Sequence, residues 1–119
     1  MKKVFPILKY LDDDDMIINC DDDFIIPQDF IQIRVDEFMT SGCRHAITSA
    51  NKGAWHNRTI YGYKYWAIGP GSIFSKKMLN NYSLVLNDDV IRTYNDDVVY
   101  AYMILSNGYW IEPTKLLSN

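Results

Sequence analysis

Residues 16–27 read MIINCDDDFIIP. An apolar run ends in Asp21, Asp22 and Asp23, then resumes and stops at Pro27. Three like charges at the mouth of a buried strand repel one another and are costly to desolvate unless a cation or water compensates them. Carboxylate oxygens at that position suit a hard divalent cation, Mg²⁺ or Mn²⁺, which in turn carries phosphate. A solvated acidic turn fits the run equally well. Asp21 and Asp23 also have the spacing of a nucleophile and acid pair for metal-dependent phosphotransfer. Ile25 and the lack of a supporting Lys motif weigh against that third reading.

A second acidic group, Asn95-Asp96-Asp97, opens a helical pattern. Asn and Asp there are ordinary capping residues, favoured by the free amides and the dipole. A carboxylate in that place can also serve as a general base toward a hydroxyl. Asn87-Asp88-Asp89 has the same composition but opens no amphipathic pattern. Between the acidic groups lies Gly69-Pro70-Gly71-Ser72, a turn whose glycines permit close approach of backbone to a ligand. Trp55, His56, Tyr61, Tyr63, Tyr65 and Trp66 are densely placed just before it. Such rings fill cores, and they also stack on sugars. His45 and His56 have no ligand partner at metal-binding spacing.

Elements must position these groups. KKVFPILKYL (2–11) places Val4, Leu8 and Leu11 at helical spacing, with Pro6 tolerable only in a first turn. The four aspartates at 12–15 end that element, because acids oppose a helix C-terminus. MIINC (16–20) predicts a buried strand, and 27–39 a helix with Phe30, Ile31, Val35 and Phe38 on one side, stopped by Ser41-Gly42. A strand is expected over 44–50, a loop over 51–57, and one strand or a hairpin over 58–69. Residues 73–80 predict a strand end followed by a helical turn or two. From Asn95 a helix is expected with Val98, Ala101, Tyr102 and Leu105 as its apolar stripe, stopped by Asn107-Gly108. A short strand over 109–113 closes the pattern. Residues 83–95 give no clear pattern. This alternation predicts the α/β class, with a mixed sheet flanked by helices.

The 119 residues suit one domain, 1–119, and 48 % hydrophobic composition suffices for a core. Net charge is −3 with scattered basic residues, which gives no electrostatic footprint for nucleic acid or an anionic membrane surface. No apolar stretch approaches a membrane span, and no signal peptide is visible. Cys20 and Cys43 stand in unrelated settings, and two reduced thiols in a cytoplasmic protein are expected.

MIINCDDDFIIPQDFI (16–31), AIGPGSIFSKKML (67–79) and NDDVVYAYMILSNGYWI (95–111) together resemble GT-A type glycosyltransferases, which use nucleotide sugars. The likeness is closest to small bacterial and viral glycan transferases, and it covers most of the chain in the family's order. It implies the carboxyl-terminal part of a GT-A nucleotide-diphospho-sugar transferase domain. Asp21-Asp22-Asp23 matches the DxD motif. Asp23 would then hold Mn²⁺ or Mg²⁺ on the sugar-nucleotide diphosphate, with Asp21 as second ligand and Asp21 and Asp22 against the donor. Gly69, Gly71 and Ser72 would lie beside the donor sugar. Asp97 would be the base toward the acceptor hydroxyl if the enzyme inverts, with Asp96 assisting, and Asp96 and Trp66 would bind the acceptor. The family's nucleotide-binding βαβ half normally precedes the DxD strand, and residues 1–15 are too few to supply it. The resemblance therefore implies a truncated domain with an exposed sheet edge, paired by a second copy or a partner chain. Two further readings stay open: a non-catalytic remnant or interaction module, and a metal-dependent phosphotransfer enzyme.

Overall fold

A computed structural model describes residues 5–20, 28–48, 58–60, 63–65, 68, 71–80 and 96–114. The chain starts with a 3-10 helix, Phe5–Tyr10, followed by strand β1 (Met16–Asn19) and helix α1 (Phe30–Thr40). Strands β2 (His45–Thr48), β3 (Arg58–Ile60), β4 (Tyr63–Tyr65) and β5 (Ser72–Ser75) come next. Among the described residues a second 3-10 helix (Lys76–Leu79), helix α2 (Asp96–Ser106) and strand β6 (Trp110–Pro113) follow. The α/β class with a mixed sheet is as the sequence pattern predicts.

Four strands form the main sheet in the order β1-β5-β2-β6. β1 and β2 both run antiparallel to β5, whereas β2 and β6 are parallel. The carboxyl ends of β1, β2 and β6 and the amino end of β5 therefore share one end of the sheet. β3 and β4 form a separate antiparallel hairpin, the second of the two forms expected for the segment 58–69.

All four residues of β5 are buried, which requires cover on both faces of this central strand. Phe74 meets Tyr100 of α2 with ring centroids 5.9 Å apart. Strand alternation turns Ile73 to the other face, and α1 packs against β5 and β2. Leu8, Ile17, Phe38, Ile47, Met78, Met103, Ile104 and Ile111 belong to the same buried cluster.

The local stops act as read from the sequence. Gly42 and Gly108 take left-handed backbone just after α1 and α2. Asn107 closes α2 by donating from Nδ2 to the carbonyls of Met78, Asn80 and Met103 at 2.8–3.0 Å. The aspartates at 12–15 form a turn, in which the Asp12 amide donates to the Asp15 carboxylate at 2.9 Å.

Three details differ from the sequence expectation. The first element is 3-10 rather than α-helical. The buried side of α1 is Phe30, Arg34 and Phe38, while Ile31 is 56 % exposed. The core side of α2 is Val99, Tyr100, Ala101, Met103 and Ile104, with Tyr102 and Leu105 only half-buried. This helix is apolar nearly all round, so periodicity alone could not fix which stripe faces the sheet.

Candidate functional site at the carboxyl end of the sheet

Strand β1 is apolar and short, and its pairing with β5 sets Asn19 directly opposite Ser72. The Gly71 amide donates to the Asn19 carbonyl at 2.5 Å. The chain thus leaves β1 at Asn19 beside Gly71 and Ser72, where β5 begins. Asp21 to Asp23, Gly69 and Trp66 lie outside the described residues. Gly71 has φ +84°, the left-handed region that glycine enters without a Cβ penalty. That conformation lets β5 start immediately at Ser72.

Buried polar side chains gather at this end. Ser72 Oγ donates to Thr48 Oγ1 at 3.1 Å, joining β5 to the last residue of β2. The Thr114 amide, just past β6, donates to the Thr48 carbonyl at 2.8 Å. Asn19, Thr48, Ser72 and Thr114 are all buried, and among the described residues the other buried polar side chains are Arg34 and Ser75.

Arg34 ties α1 to them. It sits four residues after Phe30 and four before Phe38, on the buried face of the helix. Its side chain is 1 % exposed. Nε donates to the Gly71 carbonyl at 3.0 Å. Nη1 donates to Thr114 Oγ1 at 3.2 Å and to Glu37 Oε1 at 3.3 Å. The Thr114 hydroxyl donates in turn to the Glu37 carboxylate, at 2.8 Å to Oε1 and 3.0 Å to Oε2. The guanidinium also lies over the Phe30 ring, 4.9 Å from its centroid. Nη2 is buried and has no hydrogen-bond partner among the described residues. Burial lowers the Arg34 pKa from its ordinary value, and the nearby Glu37 carboxylate opposes that shift.

Sequence reasoning missed Arg34, Glu37, Thr48 and Thr114. A signal for Arg34 was present: a charge between Phe30 and Phe38 at i±4 interrupts an otherwise apolar helix face. Thr48 and Thr114 carried none, because their burial follows from pairing between strands 62 residues apart in sequence.

Asp96 and Asp97 form the first turn of α2 as expected. The opposite end of that helix is fixed by Asn107 at Met78 and Asn80, beyond the far end of β5. Its acidic end therefore points away from the far end of the sheet. His45 begins β2 at that far end. Cys20 and Cys43 are both half-buried, without a disulfide. Among the described residues no three His, Cys, Asp or Glu side chains converge to hold a metal ion. No helix among them is long and apolar enough to cross a membrane.

Comparisons with protein-family models, curated proteins and solved structures found no match to this chain.

Proposed function

We propose that the chain is a metal-dependent glycosyltransferase of the GT-A type, or the catalytic and acceptor half of one. It would transfer a sugar from a nucleotide-diphosphate sugar to a glycan or other hydroxyl acceptor. The observation that carries this reading is the Asn19–Gly71 contact with its Asn19–Ser72 register. It brings together the end of β1 and the start of β5, which neighbour the acidic run and the glycine turn in sequence, and open α/β sheets take their ligands at the carboxyl ends of strands.

Asp21 and Asp23 offer hard oxygen donors, the chemistry that Mn²⁺ or Mg²⁺ requires. The bound cation would neutralise charge on the departing diphosphate. Asp22 would contact the donor, and Gly69, Gly71 and Ser72 would let the donor sugar approach backbone closely. Asp97 would accept the proton of the acceptor hydroxyl, Asp96 would orient that acceptor, and Trp66 would offer it a ring face.

One observation favours a second reading, an interaction module without turnover. Among the described residues β1 and β6 are the outer strands of the sheet, and Met16 and Trp110 on them are 42 % and 50 % exposed. A strand edge that no further strand of its own chain covers pairs with a second copy or a partner chain.

Calorimetry with Mn²⁺ and a panel of UDP- and GDP-linked sugars separates the two. Metal-dependent binding that Asp23→Ala abolishes supports the transferase. A folded chain that binds no nucleotide sugar supports the module. Sedimentation of a clean monomer at micromolar concentration would count against pairing at the sheet edge.

A further inference from the structure

We propose that Arg34 is the positioning residue of this site, holding the Gly71 turn against α1 so that the turn can receive a ligand. The inference rests on the transferase reading for the ligand concerned.

Stability is a poor reason for this residue. A guanidinium taken wholly out of water loses its hydration, and an apolar side chain of similar volume is often as stable or more so in such a place. Arg34 is 1 % exposed and still leaves Nη2 without a partner among the described residues. Buried polar groups are seldom left so. An apolar residue would avoid that cost and would extend the Phe30–Phe38 face.

What an apolar residue cannot supply is direction. The fork of Arg34 grips the Gly71 carbonyl through Nε and the Thr114–Glu37 pair through Nη1. These groups come from β5's leading turn, from the chain leaving β6, and from α1 itself. Gly71 is held on its other side by the Asn19 carbonyl, at the root of the acidic run. One side chain thus fixes the spacing between helix α1, the Gly71 turn and the end of β1. A lysine could reach one of these acceptors but not span them in a plane.

The test compares wild type, Arg34→Lys and the double variant R34M/E37Q. The second change removes the carboxylate that would otherwise lose its cation, and leaves Thr114 an amide oxygen as acceptor. The expected result for R34M/E37Q is a thermal midpoint within a few degrees of wild type, with Mn²⁺-dependent binding of the nucleotide sugar weakened about tenfold or more. Arg34→Lys should recover part of that binding. Unfolding of the double variant would make Arg34 a structural residue and overturn the proposal, as would unchanged binding.

If wild type binds no member of the UDP- and GDP-sugar panel, the transferase reading fails by itself. Positioning is then read from hydrogen exchange in Arg34→Lys. Exchange at the Gly71 amide about tenfold faster, with Phe74 unchanged, supports the clamp. An unchanged Gly71 amide overturns it.

Discussion

Gly71 accepts from Arg34 at its carbonyl and donates from its amide to Asn19, so this residue joins helix α1 to the end of strand β1. Both partners lie far from it in sequence, 37 residues away for Arg34 and 52 for Asn19. A turn that reads locally as a breaker is therefore a tertiary junction. Its conformation, and not only its flexibility, is what the site needs.

Replacing Gly71 by alanine tests that conformation. The backbone sits at φ +84°, where a Cβ meets the following carbonyl. Gly71→Ala should lower stability by about 1–2 kcal/mol, seen as a lower urea midpoint at unchanged slope. If the variant is as stable as wild type, the left-handed turn does not persist in solution.

The Ser72–Thr48 hydroxyl pair gives an ordered prediction. Both side chains are fully buried, and Ser72 Oγ donates to Thr48 Oγ1. Thr48→Val keeps the volume but removes the acceptor, which should cost about 1–3 kcal/mol because a buried donor loses its partner. Ser72→Ala removes donor and demand together and should cost about 0.5–1.5 kcal/mol. Chemical denaturation of the two variants that finds Ser72→Ala the more damaging would show that this bond is not what holds β5 to β2.

The sequence was readable where local chemistry decides the outcome. Gly42 and Gly108 stop helices for reasons confined to a few residues. The strand expected over 16–20 and the strand end expected from residue 73 were likewise legible, each within one residue of β1 and β5. What escaped depends on packing between distant segments. The exposure of Ile31 and the burial of Arg34 reflect how α1 is rotated on the sheet, and both kinds of side chain fit a helix equally well. The same holds for α2, whose apolar surface left several possible core stripes. The helix start at Asp96 could be read locally, whereas the buried clamp of Arg34 on Gly71 and Thr114 could not.

Lys77 and Asp14 supply a pH prediction. Their ion pair is 3.0 Å long and joins the acidic turn to the second 3-10 helix. The hydrogen bond to Asp14 raises the Lys77 pKa, with Coulombic attraction from Asp14 adding to it. A raised folded-state pKa means a contribution fully present below the unfolded lysine value, about 10.4, and lost as pH rises through the folded value. Because the pair is solvent-exposed, its effect is small and weakened by salt. The thermal midpoint of Asp14→Asn should lie slightly below wild type at about pH 8 and converge with it once the pH has passed the raised Lys77 pKa. A difference that persists at the higher pH would assign the effect to the backbone turn instead.

Asp97→Asn separates enzyme from interaction module. Asn keeps the shape and the capping capacity of Asp at a helix start, so folding should be preserved. It cannot accept a proton. If Asp97 is the base, turnover with a nucleotide sugar and a hydroxyl acceptor should fall about 10²–10⁴-fold, while Mn²⁺-dependent donor binding stays near wild type. Equal turnover in Asp97→Asn would remove Asp97 from that role and turn attention to Asp96. Donor binding without any turnover in the wild-type chain would favour the module, since the acids of the first α2 turn would then serve only as caps.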